Sequence, residues 1–476
     1  MSTPPPGTPL PPLAGGSGGR AALRPLLDTV LDALHEGALA RGGPIPAGGP
    51  DTVAQRLLDA TATVLPDTGT GAEEALRTLV QALAHGAADP AEPLCVAHLH
   101  TPPLAVAAAA DLAVSALNPS MDSWDQAPAA SALEAHVTRT LAAEIYPHGP
   151  APDALVTTGG TESNQLALLL ARERHGPVQL VHGANAHHSL PRAAWLLGLP
   201  EPVTVPAPAG VIDLAALDEA LTDLHHPLLV AATAGTTDTG RIDPLPEIAD
   251  LCARHNAELH IDASYGGPLL FSDVHKHRLD GLDRAHTVTL DLHKLGWQPV
   301  AAGLLAVPGT AALTPLAHQA DYLNADDDTE AGLPDLLGRS LRTTRRPDIL
   351  KIAVTLRALG RTGLAALVDH TCAAAQHLAD LVENTPGLEL HDRPTISTVL
   401  FRPTNASDDD IATIRRTLLT EGHAVLGRAR ADGRLWLKAT VLNPHTTPND
   451  LKALLSLLSH PSLPSPLSLP EGSTHR

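Results

Sequence analysis

The middle of this chain alternates short apolar runs with helical patterns, and few folds accommodate that alternation. Apolar runs fall at 154–157, 178–182, 202–205, 228–233, 258–263, 286–291 and 303–307, with helical patterns at 163–174, 189–198, 214–223 and 244–256 between several of them. Runs this short and uniformly apolar fit strands buried on both faces. The pattern therefore predicts an α/β fold with a mainly parallel central sheet covered by helices. Open sheets of this kind bind ligands beyond the carboxyl ends of their strands.

The flanks read differently. Residues 1–20 are rich in Pro, Gly and Ser and are expected to be disordered, as is the tail 461–476. Residues 21–95 predict a helical N-terminal segment, with Leu23, Leu26, Leu27, Val30, Leu31 and Leu34 in one stripe and further helices near 52–62 and 72–86. It serves either as a dimer arm or as a cap on its own domain. Helices are expected over 104–117 and 131–146, the second capped by Ser131 with Glu134 three residues on. The large domain is drawn at 96–355, with an acidic, loop-like stretch at 321–336. A small α+β domain at 356–460 should hold strands near 387–391, 396–401 and 434–440 and helices at 408–421 and 448–458. Two helices, 348–359 and 363–383, lead into it.

Composition excludes several classes. The formal charge of −20 on 476 residues argues against binding nucleic acid or an anionic membrane surface. Hydrophobic residues at 43% are enough for a large core. Three cysteines, Cys95, Cys252 and Cys372, cannot build a disulfide scaffold or a thiolate cluster. No metal site is expected: HExxH is missing, and the His-His pairs lack a carboxylate at a known spacing. GxSxG is also missing, which removes the serine-hydrolase reading. No basic region followed by an apolar run opens the chain, and a reduced cytoplasm is the expected compartment.

Three signals carry chemistry. Thr157-Thr158-Gly159-Gly160-Thr161-Glu162-Ser163-Asn164 leads from a strand through glycines into a helix, which suits a phosphate or simply a well-capped helix. His260-Ile261-Asp262-Ala263-Ser264-Tyr265-Gly266-Gly267 ends a strand in a carboxylate, which pairs with a cationic ring nitrogen or makes an ordinary turn. Asp291-Leu292-His293-Lys294 places a lysine at a strand end, as an amine for imine chemistry or a solvated surface group. Together they form the set that pyridoxal 5'-phosphate needs: a phosphate cradle, a carboxylate for the pyridine nitrogen and a lysine for the aldehyde. His187, in Asn185-Ala186-His187-His188-Ser189, is a candidate to stack on the ring.

The stretch HIDASYGG followed by TVTLDLHKLGWQP closely resembles the group II pyridoxal-phosphate-dependent amino-acid decarboxylases. The resemblance runs from about Ala97 through Pro444. The ADYLN and RTTRR stretches around Tyr322 and Arg345 are most similar to the diaminobutyrate and siderophore-type lysine branch. It implies a fold type I, transferase-like homodimer with active sites at the subunit interface. Its activity would be α-decarboxylation of a basic L-amino acid, with 2,4-diaminobutyrate ahead of lysine or ornithine, in secondary metabolism.

Carried over by position, Lys294 is the Schiff-base lysine, Asp262 the partner of the pyridine nitrogen and His187 the stacking histidine. Gly160 and Thr161 match the phosphate loop, Asp291 falls where another phosphate-side residue is expected, and His293 directly precedes the lysine. Ser264 lies beneath the ring, and Thr236 and Thr237 lie beside the cofactor. His100 and Thr101, with Asp122, Trp124 and Asp125, match loops lining the substrate pocket; Asp122 and Asp125 are candidates to read a distal ammonium. Arg345 and Arg346 are candidates for a substrate acid or the partner subunit.

One departure bears on the outcome. Many relatives carry a tyrosine in a mobile loop after the lysine, and between Asn324 and Lys351 this chain has none, with Leu336 aligned near that place. Oxidative deamination to an aldehyde, an acidic or aromatic substrate, and a non-catalytic binding homologue are the alternatives.

Overall fold

The computed structural model describes residues 10–225, 227–317, 323 and 326–459. The expected disorder of 1–9 and 461–476 and the position of Tyr322 lie outside the described residues. The N-terminal segment holds α1 (Gly19–Arg41), α2 (Gly49–Thr61) and α3 (Ala72–Gly86). Next come α4 (Ala105–Leu117) and α5 (Pro128–Ile145). The central region runs β1 (Asp153–Thr157), α6 (Gly160–His175), β2 (Gln179–Gly183), α7 (Ser189–Leu196), β3 (Val203–Val205), α8 (Leu214–Asp223), β4 (Leu228–Thr233), α9 (Leu245–Arg254), β5 (Glu258–Ala263), β6 (Thr287–Asp291) and β7 (Gly303–Val307). After it come α10 (Asp326–Glu330), α11 (Ile349–Glu383), β8 (Leu388–Leu390), β9 (Thr398–Pro403), α12 (Asp408–Thr420), β10 (Gly427–Ala431), β11 (Arg434–Thr440) and α13 (Pro448–Ser456).

Seven strands form one sheet in the order β1-β7-β6-β5-β4-β2-β3. Strands β3, β2, β4, β5 and β6 are parallel, and β7 is antiparallel to both its neighbours. The expected α/β architecture of fold type I is therefore present. Strands β1, β4, β6 and β7 are buried along their whole length, which explains their unbroken apolar reading. A second, antiparallel sheet in the order β10-β11-β9-β8 makes the small domain. Its helices α12 and α13 each open on a reciprocal cap, Ser407 with Asp410 and Thr447 with Asp450.

Helix α11 joins the two bodies. Ile349 to Cys372 packs into the large core and Ala375 to Val382 into the small one. The expected break between its two halves appears as a single non-helical residue, Gly360, at φ +61°. Trp297 Nε1 donates to the Leu442 carbonyl at 2.8 Å, and the Tyr265 hydroxyl meets Ser397 and Thr398 at 2.8 and 3.1 Å. These bonds tie the strand-end loops to the small domain.

Several local expectations need correction. Ser131 does not cap α5: the helix starts at Pro128, and the buried Ser131 donates to the Pro128 carbonyl at 2.9 Å. Proline suits a first turn, whose amide has no helical partner. Glu134 is instead ion-paired with Arg345. The leucine stripe of α1 is only partly its packing face: Leu23, Leu26, Leu27 and Val30 are half-buried. Thr29, Ala33 and Gly37 are buried, while Leu31 and Leu34 are 63% and 46% exposed. Small residues let α1 approach α3 closely; a Cβ on Gly37 would lie 2.6 Å from that of Ala84. Strand β10 was not foreseen, because GRARA reads as a charged loop; its arginines point out and Ala429 points in. Among the described residues no helix is long and apolar enough to cross a membrane.

Candidate active site

The strand ends converge on a cavity of about 490 Å³. The β1–α6 turn contributes Thr158, Gly159, Gly160 and Thr161, and the loop after β2 contributes His187. The ends of β4, β5 and β6 bring Thr233 and Gly235, Asp262 and Ser264, and Asp291, His293 and Lys294. His98, Leu99 and Lys438 close the remaining side.

Asp262 sits at the floor. Its Oδ1 accepts from the Ser264 amide at 3.0 Å and its Oδ2 from Asn164 Nδ2 at 2.7 Å. Burial alone would raise its pKa, but the Lys294 charge and the Ser264 and Asn164 hydrogen bonds outweigh that and hold the carboxyl below its ordinary value. Lys294 Nζ stands 2.9 Å from the buried Asp291 Oδ2, and His293 Nε2 lies 3.6 Å from the same oxygen. Burial lowers the pKa of His293, and that of His187 by the same cause, with Asp262 opposing the second shift. Lys438 Nζ donates to the Thr237 carbonyl at 3.0 Å, and burial lowers its pKa.

The donor set fits a flat, phosphorylated pyridine. Gly160 is closely packed at the turn, where only a glycine fits: a Cβ there would fall 2.2 Å from Ser264 Oγ and 3.2 Å from Asp291 Oδ2. Ser264 Oγ, Thr233 Oγ1 and Asp291 Oδ1 are buried without a partner, as expected of groups awaiting a polar ligand. The glycine turn opens α6 at the cavity, and a helix N-terminus favours an anion.

The expected cofactor residues Gly160, Thr161, His187, Asp262, Ser264, Asp291, His293 and Lys294 all line this cavity, and Thr236 does not. Thr236 spends its hydroxyl inside its own turn, on Thr239 and the Arg241 amide at 2.9 and 3.1 Å; Thr237 lines the cavity instead. None of the five expected substrate-pocket residues lines the cavity of the single chain. Thr101 is buried, and its neighbours His98 and Leu99 take the lining position that it and His100 were expected to fill. Asp122 is buried with Thr344 3.4 Å from its Oδ2, and Asp125 accepts from Ser123 at 2.5 Å. Trp124 is half-buried. Arg345 is not a substrate contact, because both its terminal nitrogens are spent on Glu134; Arg346 pairs with Asp111 at 2.8 Å.

Residues 54–404 match the pyridoxal-dependent decarboxylase conserved domain. The chain belongs to this family. It is 41% identical over 411 residues to the L-2,4-diaminobutyrate decarboxylase of Rhizobium meliloti, covering 83% of both chains. It is 32% identical over 323 residues to human cysteine sulfinic acid decarboxylase, covering 62% of this chain and 64% of that one. The glutamate decarboxylase domain of a Vibrio parahaemolyticus diaminobutyrate-pyruvate transaminase and L-2,4-diaminobutyrate decarboxylase superposes with a TM-score of 0.83 at 31% identity, covering 94% of this chain and 96% of that one. The protein is thus a pyridoxal-phosphate-dependent amino-acid decarboxylase, and the cavity has the donors for that cofactor.

Sequence reading missed the groups behind the cavity wall. Asn164, Ser189 and His260 lie inside motifs already singled out, yet nothing in their spacing shows that they touch. Lys438 sits in an ordinary strand, with no local signal at all. His260 is fully buried, and desolvation pushes its pKa down to about 4. An unfolded histidine titrates near 6.5, so the folded state binds fewer protons between the two values. This contribution is complete above pH ~6.5 and is lost as pH falls toward ~4, about 3 kcal/mol in all. Urea unfolding at pH 7.5 and pH 5 should show about 2 kcal/mol of this loss, with a shallower pH slope in H260Q.

Proposed function

We propose that this chain removes the α-carboxylate of a basic L-amino acid, 2,4-diaminobutyrate ahead of lysine or ornithine, and releases the amine and carbon dioxide. The observation that carries the reaction is the meeting of Lys294 and Asp262 in one cavity beside a glycine turn. Lys294 would hold the cofactor's aldehyde carbon and yield it to the substrate amine. Asp262, anionic and doubly hydrogen-bonded, would keep the ring nitrogen protonated. His187 would cover the ring. Gly160 and Thr161 would receive the phosphate and Ser264 would lie beneath the ring, with Asp291 and His293 alongside. When bound, the pyridoxal ring takes up the electron pair left on the α-carbon as the bond to the carboxylate breaks. An acid of the protein then returns a proton to that carbon.

The basic substrate is supported by the identity to the Rhizobium meliloti enzyme. One observation favours a second reading. Lys438 lines the cavity beside Lys294, and an ammonium there suits an acidic side chain. Initial rates of loaded enzyme on 2,4-diaminobutyrate, ornithine, lysine, aspartate, glutamate, cysteine sulfinate and tryptophan decide between them. Diaminobutyrate should lead in kcat/KM by about tenfold or more. A carboxylate substrate at the head of the series would sink the basic assignment.

The functional unit is proposed to be a homodimer in the cytoplasm, with active sites at the subunit interface. Leu31, Leu34, Leu39, Leu57, Leu58 and Leu83 leave an apolar face on α1–α3, and all three cysteines are free thiols.

A further inference from the structure

Behind the cavity wall lies a buried polar chain centred on one amide. Asn164, in the first turns of α6, is fully buried. Its Nδ2 donates to Asp262 Oδ2 at 2.7 Å and to Ser189 Oγ at 2.9 Å. Its Oδ1 accepts from Thr289 Oγ1 and from His260 Nε2, both at 3.0 Å. All four hydrogen-bonding positions of the amide are therefore filled.

This arrangement has a defined polarity. An ionised Asp262 only accepts, so Nδ2 must face it and the amide cannot flip. Ser189 Oγ accepts from Asn164 and keeps its own proton to donate to His187 Nδ1, 2.9 Å away, once that nitrogen is an acceptor. The Ser189 amide points at the same ring nitrogen from 3.3 Å, and an amide only donates. His187 Nδ1 thus meets donors alone and carries no proton. In the neutral ring the proton must sit on Nε2.

We propose that Asn164 is a positioning residue that couples the two cofactor-facing groups, anchoring Asp262 as an anion and, through Ser189, holding His187 as the neutral Nε2–H tautomer. Such a ring offers the cavity a hydrogen-bond donor. His260 and Thr289 fix the far side of the amide, and Thr287, 2.8 Å from His260 Nδ1, completes the chain. The inference concerns the family cofactor and is independent of which amino acid is the substrate.

The test compares loaded wild-type enzyme with N164L and S189A. Both variants keep the charged and titratable groups that face His187, namely Asp262, Asp291, Lys294 and His188. Ring 15N shifts of histidine-labelled enzyme, with H187Q to assign the signal, report the tautomer directly. Wild type should show a single Nε2–H form, and both variants a mixture with visible Nδ1–H. Cofactor dissociation should separate the two arms: N164L weakens pyridoxal phosphate binding by about tenfold or more, and S189A by less than about threefold. Should N164L fail to fold, the S189A ring shifts alone decide. Wild-type ring shifts in every folded variant, or a folded N164L with unaltered cofactor affinity, would overturn the proposal.

Discussion

Replacing Lys294 by alanine should lower kcat by at least about 10⁴-fold while the fold survives. The reason lies in what the side chain does and does not touch. Its ammonium makes one ion pair, with Asp291 at 2.9 Å, and the side chain is partly open to the cavity. Among the described residues, its loss leaves Lys438 as the primary amine lining the cavity with Asp262, His187 and the glycine turn, and Lys438 is tied to the Thr237 carbonyl. Lys438 is thus poorly placed to substitute. Single-turnover kinetics would measure the loss, and the visible absorbance that appears on adding cofactor to wild type should be altered in K294A. Circular dichroism should match wild type. Retained turnover in K294A would remove the chemical basis of the site.

The second large effect is on stability. R345A should cost about 3–5 kcal/mol, measured by guanidinium unfolding, because it strands the Glu134 carboxylate in the core. Arg345 and Glu134 form a two-pronged pair at 2.6 and 2.7 Å, and their side chains are 1% and 3% exposed. The Arg345 carbonyl also receives the Met121 amide at 2.9 Å, so the pair joins α5 to the loops before α5 and α11. Replacing both charges with methionine should recover much of the loss, since two desolvation costs vanish together. A double-mutant cycle with no coupling between the positions would contradict this reading.

The sheet and the cofactor residues were legible for a simple reason. Strands covered on both faces must be apolar throughout, and chemistry-bearing residues then stand out where each run ends. Asp262, Asp291 and Lys294 were therefore visible as polar groups closing apolar runs. Residues whose role depends on a distant partner were not. Asn164 meets Asp262 across 98 positions of sequence, and Arg345 meets Glu134 across 211. Glu134 fitted a local capping pattern well enough to hide its true partner. The leucines of α1 misled in another way. Leu31 and Leu34 lie on the face the single chain leaves uncovered, while Ala33 and Gly37 make the close contact. The substrate loops were misread, because Asp125 turns to its neighbour Ser123 and Asp122 to the distant Thr344, and neither lines the cavity.

The missing loop tyrosine makes the fate of the α-carbon the most direct test of the reaction. Carbon dioxide, amine, aldehyde and dissolved oxygen should be followed together on loaded enzyme with its best substrate. Simple decarboxylation predicts amine and carbon dioxide in equal amounts with no oxygen consumed. Aldehyde formed with matching oxygen uptake would contradict it and assign the chain to decarboxylation coupled to oxidative deamination.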